Sequence, residues 1–441
     1  MQLRRVILIS VLCSCATAIA SGQQPDSKQG DGFYDLGIDR LYHQMYTAFS
    51  SRDMATASAI LEKIHALDPN DPQAILSVAA ARYRAGKKDE SFRLLRQLAD
   101  RKLGFWPDAH PVFAPLRTDP EFQKVLAAFE ASDPRVGNST VAFTIPEPDL
   151  IPEGIAHDPV ENAFYVGSIY KRKILKVDNG KVSIFASPDA SGLFGVLGMK
   201  VDPKRRVLWV ASAAGSELKD KDGWSGLFKF DLKSGKLVKK YIVEGKPGEH
   251  LFNDVALTAS GDVYATDSHA GAVYRLEADS DQLTPFLAAG SFVYPNGIAL
   301  SPREDKLFIA SYGAGITVVE LATKRLRKLA HGTETTTAGI DGLYFANDSL
   351  IAVQNGIGPG RIVRFRLSPA LDRITRTEVL ESRNPKFNPP TTGAIAGPEF
   401  YYIANAQLGA IDGSALKKDF KLEDILILNT RIDPAANDGR K

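Results

Sequence analysis

The chain of 441 residues is too long for one small core and fits two or three domains of ordinary size. Its 54 lysines and arginines nearly balance 52 aspartates and glutamates, leaving a formal net charge of +2. That balance argues against a nucleic-acid partner, which would want a basic patch or stripe.

Residues 1–20 read as a secretory signal peptide. Arg4 and Arg5 precede an apolar run from Val6 to Ala20, too short for a membrane span, and Ala18-Ile19-Ala20 supplies a small-residue cleavage pattern. A secreted or periplasmic location follows as the expectation, and no other stretch of the chain is apolar enough to span a membrane. Both cysteines, Cys13 and Cys15, lie inside that segment. Cleavage after Ala20 would leave no disulfide, no thiol nucleophile and no Cys-ligated zinc. Leu12-Cys13-Ser14-Cys15 also resembles a lipoprotein processing site, which would leave Cys15 lipidated at the new amino terminus.

Residues 21–33 are polar, with little to bury, and read as a flexible leader. Residues 34–132 read as a helical domain. Met54, Ala57, Ile60, Leu61, Ile64 and Leu67 recur at three- and four-residue steps, and Asp68-Pro69-Asn70-Asp71-Pro72 breaks the run. A second run ends at Gly86, a third spans Glu90 to Leu103, and Pro120-Glu121-Phe122 opens a closing helix. The order of helix, Asp-Pro turn, helix, glycine and helix resembles tetratricopeptide repeats, with Ala79, Ala80 and Ala81 where paired helices approach. Such a domain either packs as a small helical unit or offers a groove to a partner protein. Residues 133–140 form a linker and residues 433–441 a tail.

From Val141 to about residue 432 strand patterns dominate. PEGIAHDP, VLGMKVDP, FNDVALTA, PNGIALSP, IDGLYFAN and TTGAIAGP restate one unit, each followed by strand segments such as Ala163-Phe164-Tyr165-Val166 or Val207-Leu208-Trp209-Val210. Four strands repeated at roughly 45 to 55 residues is the period of propeller blades. The expected fold is therefore mainly β: a six-bladed propeller after a small helical domain. Val141 to Ile145 precedes the first unit and is expected to complete the last blade, closing the ring.

The variable residue of each unit is Glu153, Leu197, Asn253, Asn296, Asp341 or Thr392. Any one Asn-Gly or Asp-Gly pair alone reads as a hairpin turn. Six at one register, on the innermost strands, predict a ring of side chains near one mouth of the channel. Glu153, Asn253, Asn296 and Asp341 would bring two carboxylates and two amide oxygens, a hard donor set suited to calcium, less so to magnesium or manganese, and unsuited to zinc. Thr392 would add a hydroxyl and Leu197 an apolar patch. His250 and His269 flank the third unit and are further candidates for the mouth. Asp267-Ser268-His269 has the residues of a triad, but neighbours on a strand point to opposite faces, and no Gly-x-Ser-x-Gly elbow occurs.

On Pro152-Glu153-Gly154, Asn253-Asp254-Val255, Pro295-Asn296-Gly297 and Asp341-Gly342, residues 140–430 resemble the senescence-marker-protein/gluconolactonase family, with relatives among the paraoxonases and strictosidine-synthase-like propellers. The resemblance implies that Glu153, Asn296 and Asp341 hold a metal, that Asn253 lies near metal or substrate, and that Asp341 also carries a proton. It implies a calcium-dependent lactonase or esterase acting on a small lactone or ester. Two places depart from the pattern. Leu251 stands where the gluconolactonases often keep an arginine, and Leu197 where the paraoxonases keep a histidine. Those departures motivate the alternative of a non-catalytic, metal-stabilised scaffold whose helical domain binds a protein partner.

Overall fold

The computed structural model describes residues 36–51, 53–214 and 224–433. The expected signal peptide, leader and both cysteines, and the tail beyond residue 433, lie outside the described residues.

Among the described residues five helices come first: α1 (Leu36–Ser50), α2 (Met54–Leu67), α3 (Pro72–Arg84), α4 (Lys88–Ala99) and α5 (Pro120–Ser132). The aspartates between them act as caps. Asp53 accepts from the Thr56 N–H, Asp71 from Ala74, and Asp119 from Glu121 and Phe122, each supplying an acceptor to donors that the first turn leaves unpaired. Proline at the start of α3 and of α5 costs nothing there, since its missing N–H would have had no partner. Helix α4 ends at Ala99, short of the Leu103 expected for that run, and two short 3-10 turns fill residues 107–116. Among the described residues no helix is long and apolar enough to cross a membrane.

Six four-stranded antiparallel units follow, and they form a six-bladed β-propeller. In blades one to five the innermost strands are Pro152–Asp158, Gly195–Asp202, Phe252–Leu257, Pro295–Leu300 and Ile340–Ala346, and each blade runs outward in chain order. The sixth blade starts at Gly393–Ala396 and is completed from the front of the chain. Its outer strand is Thr140–Ile145, paired with Ile425–Arg431, so the ring closes as the sequence pattern expected. The preceding two residues, Val136–Gly137, add a short fifth strand to blade five, a pairing that the linker sequence does not suggest. The segment leaving the helices thus clasps both of the last two blades and covers sheet edges that would otherwise offer unpaired N–H and C=O groups.

Apolar side chains on facing sheets make the core between blades. Tyr165 meets Phe228 and Phe230 between blades one and two, and Phe308 meets Leu343 and Phe365 between blades four and five. Each such side chain, buried fully, contributes about 1.5–3 kcal/mol relative to exposure. The helices share this core with the propeller. Ile357 of the loop after the second strand of blade five packs among Phe105, Phe113 and Phe129, and Val293 packs among Tyr42, Met45 and Ile64.

Candidate functional site

Five of the six innermost strands slip register at one place. Pairing breaks between Pro152 and Ile155, Val196 and Met199, Phe252 and Val255, Pro295 and Ile298, and Ile340 and Leu343. The skipped pairs are Glu153-Gly154, Leu197-Gly198, Asn253-Asp254, Asn296-Gly297 and Asp341-Gly342. They are bulges inside strands, not hairpin turns, and a bulge re-aims a side chain. Glycine serves here by its size, since neither Gly154 nor Gly297 has a positive φ. A Cβ on Gly154 would lie 1.8 Å from the Leu197 carbonyl oxygen, and one on Gly297 would lie 2.4 Å from that of Asp341. Each bulge therefore presses on the backbone of the next ring residue.

The re-aimed side chains meet at a cavity of about 300 Å³ whose lining includes Glu153, Leu197, Asn253, Asn296 and Asp341. Ile151 and Tyr294, which lead into the bulges of Glu153 and Asn296, hold left-handed backbone at φ 46° and 49°. That conformation is costly for a β-branched or bulky residue and persists only where the surroundings impose it. Hydroxyl groups of neighbouring strands hold the entries in place: Ser168 donates to the Leu150 carbonyl, Ser268 to Pro295 (2.6 Å) and Thr266 to Asn296 (2.7 Å).

Four polar ring side chains are nearly sealed from water. Glu153 is 6 % exposed, Asn253 5 %, Asn296 5 % and Asp341 4 %. The Ser268 hydroxyl has given its proton to Pro295, so it can only accept from Asn253 Nδ2, at 3.0 Å. This turns the Asn253 carbonyl oxygen away from Ser268. Asp341 Oδ2 accepts from Asn355 Nδ2 at 2.5 Å, and Asn355 is itself held by the Tyr312 hydroxyl at 2.8 Å and the Pro390 carbonyl at 2.9 Å. Asp341 Oδ1 and Asn296 Oδ1 are buried and have no hydrogen-bond partner. Buried acceptors left in that state cost about 1–3 kcal/mol each. Burial pushes the Asp341 carboxyl up to about 6; the amides of Asn355 and Asn296 hold it below what burial alone would give, and the Asp254 charge raises it. Asp254 is buried nearby and Lys200 half-buried. Burial pushes the carboxyl up and the ammonium down, and each group's charge partly offsets the other's shift.

Glu153, Asn253, Asn296 and Asp341 are the residues of this site that could hold a cation. Among the described residues no three His, Cys, Asp or Glu gather as a metal-holding group, so amide oxygens would have to complete the set. His250, His269 and Thr392 are not among the lining residues. Thr392 donates its hydroxyl proton to the Glu153 carbonyl. His250 Nδ1 pairs with Asp267 Oδ2 at 2.6 Å, and although burial lowers the affinity of this imidazole for a proton, Asp267 and Glu249 raise it above the usual value overall. Asp267 is thus joined to His250 of the loop before Phe252–Leu257, not to the nearby His269, whose proton affinity burial lowers.

Two contributors are illegible from the ring motifs. The first is Asn355, together with Tyr312 and Ile169, which also line the cavity. They stand one residue past the second strands Ser349–Gln354, Lys306–Ser311 and Ala163–Ser168, as Ser268 does past Val263–Asp267, so a second tier at a fixed register surrounds the ring. The second contributor is the helical region: Met54, Leu61, Leu76, Phe105, Trp106 and His110 all face the same cavity.

The model of one known family, described as the SMP-30/gluconolactonase/LRE-like region, matches residues 151–384, more than half of the chain and blades one to five of the propeller. The chain belongs to this family. Among solved structures, a gluconolactonase from Xanthomonas campestris is 15 % identical, covering 69 % of this chain and 92 % of that one at a TM-score of 0.44. A PQQ-bound aldose sugar dehydrogenase from Streptomyces coelicolor is 16 % identical over 67 % of this chain and 99 % of that one, at 0.47. A virginiamycin B lyase from Staphylococcus aureus is 17 % identical over 60 % and 81 %, at 0.43. Identities this low say nothing of shared chemistry, and no curated protein matches the sequence. The family match ends before blade six, and it includes neither the helices nor the closing strand.

Proposed function

We propose that the chain is an exported, divalent-cation-dependent hydrolase of lactones or esters, with calcium as the cation. The observation that carries this reading is the pair of buried, unpartnered oxygens, Asn296 Oδ1 and Asp341 Oδ1, beside the enclosed Glu153 carboxylate on the same cavity wall. Unmet acceptors and negative charge in one enclosed place are what a hard cation offsets, and carboxylate with amide oxygen is the donor set that calcium takes. Glu153, Asn253, Asn296 and Asp341 would hold it. When bound, the cation supplies Lewis acidity toward a substrate carbonyl and offsets the charge that grows on its oxygen.

The chain's own groups account for the rest. Asn355 fixes the orientation of Asp341 by donating to Oδ2, and the carboxylate so held would take a proton from the attacking water and return it to the leaving alkoxide. Leu197, Leu251 and Ile169 line the cavity with apolar surface that keeps other water away.

The test is calcium titration by calorimetry together with a lactone and aryl-ester panel, run with calcium and with chelator. Asp341→Asn is expected to lose both calcium binding and turnover. Wild-type affinity and turnover in that variant would sink the assignment. The alternative, a non-catalytic scaffold, is favoured by the lack of a third His, Cys, Asp or Glu beside Glu153 and Asp341 among the described residues. Calcium binding without chelator-sensitive turnover on any panel member would support it.

A further inference from the structure

The helices do more than pack beside the propeller, because several of their apolar side chains line the same cavity as the ring. Met54 is 44 % exposed although it lines the cavity, and Leu61, from the same helix, is only partly covered. Leu76 of α3 and Phe105 of the loop after α4 add buried apolar surface to the same wall. Opposite them, on the propeller, stand Leu197 and Leu251 next to the polar ring. Polar groups on the helical side are Tyr46, Ser58, Gln73, Ser77 and Arg84 on the helices and His110 beyond them, set among the apolar side chains. The helical region is fixed over this mouth by contacts of its own: Trp106 N–H donates to the Gly358 carbonyl at 2.6 Å, and Arg383 lies 4.5 Å from the Trp106 ring while pairing with Glu130 at 2.9 Å.

A cavity of about 300 Å³ with a polar ring at one wall and Met54, Leu61, Leu76 and Phe105 across from it suits a molecule with a polar end and an apolar one. We propose that the helical region is the substrate-selecting roof of this site, and that the substrate carries a medium-length aliphatic chain. Its ester or lactone carbonyl sits at the ring, and its chain lies against Met54, Leu61, Leu76 and Phe105. The assignment rests on the hydrolase reading for the carbonyl end alone. A sugar-like ligand would set hydroxyls against Met54, Leu61, Leu76 and Phe105, which offer them no partner, and each one left unpaired would weaken binding.

The test has two arms. In the first, KM is measured for γ-lactones from butyrolactone to undecalactone. It should fall roughly two- to fourfold for each added methylene, the worth of burying that group. In the second, decanamide, which resists hydrolysis, is titrated by calorimetry with and without calcium, and should bind in both. Met54→Glu is expected to collapse the ratio of KM between butyrolactone and undecalactone toward one and to weaken decanamide at least tenfold. A glutamate at the first helical position suits the helix dipole, so this variant should keep its fold. Leu61→Gln provides a second reading of the same wall. A KM independent of chain length, or decanamide binding unmoved by both substitutions, would overturn the roof assignment while leaving the hydrolase intact. Decanamide binding that responds to both substitutions, without turnover of any lactone, would support the roof and sink the hydrolase.

Discussion

Asn355 carries the most specific consequence at the scale of single residues. It spends both amide protons, one on Asp341 Oδ2 and one on the Pro390 carbonyl, and accepts from Tyr312. It touches neither substrate nor cation in the proposed chemistry, so it acts by holding Asp341. Asn355→Leu should weaken calcium binding or turnover by roughly 10- to 100-fold, the usual effect of removing a group that orients a ligand. A purely structural role would lower the unfolding midpoint and leave calcium affinity unmoved. His110 offers a test of a different kind. Burial, and then the nearby Arg84 charge, lower its pKa from the usual 6.5 to about 4, while Nδ1 accepts from the Val112 N–H. The unfolded chain takes up a proton below pH 6.5 that the folded protein refuses until about pH 4. Stability from this group is therefore complete above about 6.5 and is lost as the pH falls toward 4. His110→Asn keeps an acceptor without the titration. Its urea midpoint should fall less than the wild type's between pH 7 and pH 5, and parallel curves would contradict the account.

The bulge is the device that matters at the scale of elements. It re-aims a side chain into the channel from a strand that otherwise alternates, and in four of the five bulges the next residue is a glycine, Asp254 being the exception. Gly297→Ala would force a carbon to within 2.4 Å of the Asp341 carbonyl oxygen and 2.6 Å of the Leu343 nitrogen, both backbone atoms that cannot swing aside. The expected cost is about 1–3 kcal/mol, read as a lowered thermal or urea midpoint. An unchanged midpoint would mean that the two strands are not pressed together there. The ring was legible because Glu153, Asn296 and Asp341 recur at one register before alternating strands, a signal that survives without knowledge of the turn type. The bulge was not, because Asn-Gly in a slipped strand and Asn-Gly in a hairpin are the same two letters. Asn355 and Tyr312 stayed hidden for a related reason: their register holds isoleucine in blade one and serine in blade three, so residue type does not repeat where position does.

The propeller and the helices behave as one body at the scale of the whole molecule. Hydrophobic alternation in the sequence announces each part, but a contact between parts hundreds of residues apart leaves no periodic trace. Ile357 illustrates this, as a residue in a Gly-Pro-rich stretch that reads as a plain turn. It is 2 % exposed and packs with Phe105, Phe113 and Phe129, while its neighbour Gly358 accepts the Trp106 N–H. Shared core of this kind makes two regions unfold together, because neither keeps its full apolar burial alone. Ile357→Asp places a charge among those rings, where a carboxylate has no partner to offset its desolvation. The helices should then lose their seat without loss of the blades, whose inter-blade packing does not involve this side chain. Calorimetry is expected to show one transition for the wild type and two for the variant, the lower one accompanied by loss of helical circular dichroism. A single transition in the variant, shifted as a whole, would mean that the helices and the propeller are joined chiefly through Val293 and the α1–α2 side instead.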